Sequence, residues 1–383
     1  MEIQKLKDIC LTEITDGTHQ TPTYSEYGYI FLSSKNVTTQ KIDWDNVMFI
    51  PEKLHEELYK RVAPQIDDIL LAKNGTTGVA AIVDRDIVFD IYVSLALIRP
   101  NTEIVMPRYL LYAINNPVVK GYFDSSLKGI GVPNLHLKNI RETPIKIYDL
   151  ETQKAIVEKL DKVCELISLR KQQLAKLDEL VKARFVEMFG EPAANPNRYK
   201  KKKLSEIAVY FNGLTYKPEN VSDEGMIVLR SSNIQNGKLD FEDVVRVDCA
   251  VKEKFVVKEN DILMCSRNGS SRLVGKVALI KNVWEPMSFG AFMMIIRSDY
   301  YWYLMTYFQM ASFREQIKAG TTTTINQITG RMLDSIMIPL PPVDVQNQFA
   351  TFAEHVDQQK QTVQQSLEKL ELLKKALMQE YFG

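Results

Sequence analysis

Apolar residues follow two different periods along this chain. In residues 1–150 and 203–343 they form short β-branched or aromatic runs, at 29–32, 79–83, 87–98, 227–229, 277–280 and 289–296, each bounded by Gly, Asn, Asp or Pro. Such runs predict strands. Residues 107–115 and 300–316 are longer stretches rich in Tyr, Leu and Met and predict helices. Elsewhere the period changes. Leu160, Val163, Ile167, Leu174, Leu177, Val181 and Met188 recur at three-to-four spacing, with one polar interruption at Arg170. A more broken version runs through Phe349, Val356, Val363, Leu367, Leu370, Leu377 and Tyr381. Neither segment contains Pro or Gly, and both are rich in Lys, Glu, Gln and Leu, so each predicts a long helix with one narrow apolar stripe.

The pattern occurs twice because the sequence does. Lys5-Leu6-Lys7-Asp8-Ile9 returns as Lys203-Leu204-Ser205-Glu206-Ile207, and LSSKNVTTQKIDW at 32–44 returns as LRSSNIQNGKLDF at 229–241. DDILLAKNGTTG at 67–78 is matched by NDILMCSRNGSSRLVG at 260–275, and Phe-Gly closes both copies, at Phe189-Gly190 and Phe382-Gly383. The offset drifts from about 198 to about 193 residues, as a few loop insertions and deletions would make it. This is a duplicated domain, too long in period for a solenoid repeat. Residues 191–202 (EPAANPNRYKKK) read as the joint, their lysines as a solvated flank. The expected fold is therefore α+β: two homologous α/β globules separated by a long antiparallel two-helix coiled coil with pseudo-two-fold symmetry. The expected segments are a first globule at 1–150, its helix at 151–190, the linker at 191–202, a second globule at 203–343 and its helix at 344–383.

A helix from Gln153 to Phe189 is about 55 Å long, at 1.5 Å per residue. Its own globule cannot cover so long a stripe, so the homologous helix is the expected partner. Helices folded back on their own globules are the alternative.

Composition narrows the chemistry. The 383 residues carry 48 Lys+Arg and 48 Asp+Glu, so no gross polycation is present, although a neutral total can hide a basic face. No run approaches a membrane span and the first residues lack a signal-peptide core, which predicts a cytoplasmic protein without membrane contact. Cys10, Cys164, Cys249 and Cys265 are scattered and read as reduced thiols. No phosphate-binding GxxxxGK[ST], no Asn-Pro-Pro-aromatic motif, no metal cluster and no nucleophile-base set occurs. His19, His55, His136 and His355 are far apart and read as surface or turn residues, as do Asp67-Asp68 and Glu56-Glu57. Gly129-Ile130-Gly131 reads as a tight turn. Neither an enzyme nor a cofactor is expected.

These words resemble the specificity subunit of type I restriction-modification systems. In that family two target-recognition domains are each followed by a long helix entered through a motif similar to iPLPPLxxQ. Ile338-Pro339-Leu340-Pro341-Pro342-Val343-Asp344-Val345-Gln346 is close to it, whereas residues 144–157 keep Leu150, Glu151 and Gln153 without the double proline. The resemblance spans nearly the whole chain. It implies double-stranded DNA as ligand, with methyltransferase subunits, usually two, and restriction subunits as partners, and it assigns methylation to the methyltransferase.

Two different globules on one spacer imply a split, asymmetric target. Donors suited to phosphates and base edges sit in polar loops. In the first half these are Lys35, Asn36, Lys73, Asn74, Thr76, Thr77, Lys128 and Asn134. The second half offers Arg230, Ser231, Ser232, Asn233, Arg267, Asn268, Ser270, Arg272, Thr322, Thr323 and Asn326. Asn-Gly and Ser-Ser-Asn are also turn and cap formers, which is the competing role at each position. A coiled-coil adaptor binding protein partners through its duplicated globules is the other functional class open at this point.

Overall fold

The computed structural model describes residues 1–127, 134–319 and 327–383, and the chain divides into two compact units. Unit 1 comprises residues 1–171 and 365–383, and unit 2 comprises residues 172–364.

In unit 1 a four-stranded sheet runs in the order Thr15–Asp16, Leu95–Ile98, Ile69–Ala72, Ala80–Ile82, with all neighbours antiparallel. The central strand reads ILLA, apolar at every position, because both its faces are covered. Ile69 and Leu71 point into one core with Tyr109, Ile145 and Leu160, while Leu70 and Ala72 point into another with Trp44, Phe89 and Leu95. A second sheet sets Tyr29–Leu32 between Met48–Ile50, antiparallel, and Phe89–Ile91, parallel.

Unit 2 repeats the plan. Its sheet order is Val209–Asn212, Met293–Arg297, Ile262–Cys265, Val277–Leu279, and Met226–Leu229 pairs parallel with Met287–Phe289. Ile262 and Met264 face one core, Leu263 and Cys265 the other. Gly17 and Gly213 occupy equivalent close approaches, where a Cβ would lie 1.9 Å from the Ile91 carbonyl oxygen and 2.1 Å from that of Phe289. Only glycine fits there.

The long helices are Leu150–Phe189 and Val343–Phe382, 40 residues each. The glutamine of the entry motif anchors both. Gln153 Nε2 donates to the carbonyls of Ile104 and Tyr148, at 2.9 and 2.8 Å, and its Oε1 accepts from Met106 N. Gln346 Nε2 donates to the Pro341 carbonyl at 2.7 Å. Without the double proline, the first helix is opened by Asp149, whose carboxylate accepts from the Thr152 amide and hydroxyl. Its start at Leu150 lies three residues before Gln153.

Helices pair antiparallel within each unit. In unit 1, Lys159 reaches the Tyr381 hydroxyl, Arg170 Nε lies 3.2 Å from Ser366 Oγ, and Lys171 pairs with Glu371 at 2.9 Å. In unit 2, Asp178 pairs with Lys360 and Phe185 packs edge-on against Phe349. The expected pairing of the long helices is realised, and their ends are also anchored in the globular cores. The first turns of each helix bury in the globule they follow, through Ile156, Val157 and Leu160 in one case and Phe349 and Ala353 in the other. The last turns complete the core built on the other half of the sequence: Met378 and Phe382 join that of unit 1, Phe185 and Phe189 that of unit 2.

Three local expectations are corrected. Residues 300–316 form two helices, Tyr301–Tyr307 and Ala311–Ala319, broken where a turn at 308–310 lets Phe308 and Phe313 pack together at 4.9 Å. Asp68 closes a turn with Gln65 as expected of a turn residue, but it is buried and not solvated, with Arg99 neutralising it. His55 is buried against Tyr29, with Nδ1 2.7 Å from Asp90 Oδ2. Burial raises the Asp90 carboxyl above the usual carboxylate range, against the opposing pull of that histidine. The four cysteines are free thiols, and burial pushes Cys10 up to about 12.

Candidate nucleic-acid interface

In each unit the fully buried central strand delivers a polar loop to one edge. In unit 2 the strand Ile262–Cys265 ends at Ser266 and Arg267, whose amides both donate to the Phe292 carbonyl at 2.9 and 3.0 Å. Ile328 N donates to the Ser266 carbonyl at 2.7 Å, and Arg267 bridges to Gln327. In unit 1, Lys73 N donates to the Ser94 carbonyl, Leu135 N to the Lys73 carbonyl, and Asn74 bridges to Asn134. The backbone frame is the same. The side chains it presents are different.

A second loop joins each frame. Asn233 Oδ1 accepts from Arg230 N at 2.8 Å, and its Nδ2 donates to the Asp240 and Asp243 carbonyls, both at 2.9 Å. Asn36 does the same for Ser33 N and the carbonyls of Asp43 and Asn46. These loops meet the first set: Asn268 Nδ2 donates to Ser231 Oγ at 3.2 Å, and Ser34 N donates to Ser94 Oγ at 3.0 Å. The segments chosen from sequence therefore converge in each unit.

Their side chains divide by exposure. Asn36 and Asn233 are buried and their amide groups are committed to the backbone. Lys73 is also buried, its ammonium on the Asp16 carboxylate, and a cleft of about 420 Å³ beside it is lined by Asp16, His19, Asn74, Asn134 and His136. His19 Nε2 lies 3.2 Å from Asp16 Oδ1. Lys35, Thr76, Asn134, Ser232, Arg267, Ser270 and Arg272 are exposed, while Asn74, Thr77, Arg230, Ser231 and Asn268 are half-buried. Thr77 Oγ1 lies 3.3 Å from the Gly75 carbonyl and Arg230 pairs with Asp243 at 2.9 Å. Lys128, Gly129, Ile130, Gly131, Thr322, Thr323 and Asn326 lie outside the described residues.

Sequence reasoning missed Asp16 and His19, which reach the loop only through tertiary folding, and Phe292. Phe292 was hidden inside the run 289–296, read as one strand; the available signal was Gly290, whose break in that run permits the turn the structure shows at 291–292. Among the described residues no group of three or more His, Cys, Asp or Glu is placed to hold a metal ion.

A family model described as "Type I restriction modification DNA specificity domain" matches twice, over residues 1–179 and 196–372. The chain belongs to that family. It is a type I specificity subunit, the sequence-specific DNA-recognition component of a restriction-modification complex, and DNA together with the modification and restriction subunits are the partners consistent with that membership. The EcoKI specificity subunit of Escherichia coli (strain K12) is 23% identical over 368 residues, covering 90% of this chain and 78% of that protein. A putative MjaX specificity subunit of Methanocaldococcus jannaschii is 24% identical over 409 residues, covering 98% and 91%. The fold is shared with the S subunit of a type I system from M. genitalium, at a TM-score of 0.58 and 14% identity over 100% of this chain and 96% of that one. A chain from a structure of type I complex assembly and conformational transition matches with a TM-score of 0.57 and 18% identity, over 100% and 97%. No helix among the described residues is long and apolar enough to cross a membrane.

Proposed function

We propose that this specificity subunit reads a split, asymmetric DNA target, one half-site per unit, in the cytoplasm. Two methyltransferase subunits dock on the long helices, and restriction subunits complete the assembly. The observation that carries this reading is the repeated backbone frame with unlike readers: Asn74 and Asn134 in one unit stand where Arg267 and Gln327 stand in the other. A shared frame with different donors reads different bases in the same manner.

Lys35, Thr76, Thr77, Asn74 and Asn134 are the contacts of the first half-site, and Arg230, Ser231, Ser232, Arg267, Asn268, Ser270 and Arg272 those of the second. Lys128, Thr322, Thr323 and Asn326 belong to the same loops by sequence. Asn36, Asn233 and Lys73 hold these loops from beneath. The sequence divides correspondingly into recognition segments 1–150 and 203–343 and helices 151–190 and 344–383, with 191–202 as linker.

The test is reconstitution with the methyltransferase on a random-sequence DNA pool, reading which sites are methylated. One motif of two unlike halves around an unread spacer is expected. A single continuous motif, or methylation without sequence preference, overturns the reading.

A further inference from the structure

We infer that Arg267, backed by the exposed ring of Phe292, reads a G·C pair in the half-site of unit 2. This rests on the reading that the loops of that unit face the DNA.

Three observations meet at this pair. Phe292 is a large aromatic left 59% exposed in the turn between Met287–Phe289 and Met293–Arg297. Its carbonyl accepts from Ser266 N, Arg267 N and Ser266 Oγ, the last at 2.9 Å, so the backbone of Phe292 is fixed beside that of Arg267. The Arg267 guanidinium carbon then lies 5.3 Å from the ring centroid. Three other arginines of this unit are paired, Arg297 with Asp261, Arg246 with Glu285 and Arg230 with Asp243. Arg267 is exposed, and among the described residues no carboxylate pairs with it.

The chemistry follows. A guanidinium over an aromatic face is attracted by the π density and not by a competing acceptor, so the N–H donors in its plane remain available to a base edge. That plane is what a bidentate contact to guanine O6 and N7 requires, and a side chain already oriented loses less freedom on binding. Lysine has neither the fork nor the plane. Phe292 acts through Arg267 and is a positioning residue. Unit 1 has Ser94 at the equivalent place and Asn74 in place of the arginine, so the device belongs to one half-site only.

The experiment uses the complete methyltransferase complex and sequences the methylated sites of a random DNA pool. Wild type is expected to show a G·C pair in the half-site of unit 2. Arg267→Ala and Arg267→Lys should relax that one position by about tenfold to a hundredfold and leave the other positions intact. Phe292→Leu should relax the same position, and Phe292→Tyr, which keeps the π face, should restore it. Should Arg267→Ala fail to assemble, Arg267→Lys alone decides. A half-site without G·C, an unchanged motif in the Arg267 variants, or a uniform fall across all sequences, as loss of a phosphate contact would give, overturns the inference. Absence of any split motif in the wild type would instead overturn the two-half-site reading.

Discussion

Arg297 grips Asp261 through two parallel hydrogen bonds, Nε to Oδ1 at 2.7 Å and Nη2 to Oδ2 at 2.6 Å, and Arg99 grips Asp68 in the same way at 2.8 and 2.7 Å. Each carboxylate also accepts a backbone amide, from Lys258 and Gln65 respectively, both at 2.8 Å. Each clamp sits at the start of its central strand, at the end opposite the polar loop. Removing the carboxylate leaves a half-covered guanidinium and an unpaired amide, so Asp261→Ala should cost about 2–4 kcal/mol in denaturant unfolding, and Asp68→Ala a similar amount. A loss under 0.5 kcal/mol in both would show that water replaces the carboxylate without penalty.

Asn233 stands among recognition residues in sequence but is spent on structure. Asn233→Ala strands Arg230 N and the carbonyls of Asp240 and Asp243, a loss of about 2–3 kcal/mol. The methylated motif of the surviving folded protein should be unchanged. A changed base preference with undiminished stability would assign Asn233 to direct readout.

Lys5 and Lys7 both reach Glu142, each at 2.6 Å, and their hydrogen bonds pull its carboxyl down to about 2 from an ordinary 4.5. A carboxyl with a depressed folded pKa stabilises the protein above its unfolded value and loses that contribution as pH falls toward the folded one. The wild type should therefore lose melting temperature between pH 4.5 and about 2 more steeply than Glu142→Gln. The group is solvent-exposed, so the difference will be small and will shrink with added salt. Parallel curves at low salt would remove Glu142 from acid stability.

Lys146 Nζ donates to the Gly383 carbonyl at 3.0 Å, and Lys146 lies opposite Ile3 in the pairing of Glu2–Lys5 with Pro144–Ile147. Residues 1 and 383 of this chain are thus within reach of a short peptide link. A permutant with that link, opened at Asn195, should fold and keep the motif of the parent. Insoluble product, or a permutant that methylates a different motif, would contradict this arrangement.

Periodicity and repetition carried much of this protein. A long apolar stripe with no Pro or Gly reads as a helix seeking a partner, a local property that the sequence alone determined, whereas ILLA and ILMC are short apolar runs whose place as strands covered on both faces was decided by the fold. The duplication was equally plain in paired words such as Asn36 and Asn233, although their role was not. A buried amide in a turn and an exposed amide on a base edge have the same letters, and only tertiary packing decides which one is free. The same holds for Lys73, whose partner Asp16 is distant in sequence, and for Phe292, whose ring matters because Arg267 lies over it. That Phe189 and Phe382 close the cores of the other half was likewise decided by the fold, since burial rewards any apolar surface in reach and sequence distance does not enter it.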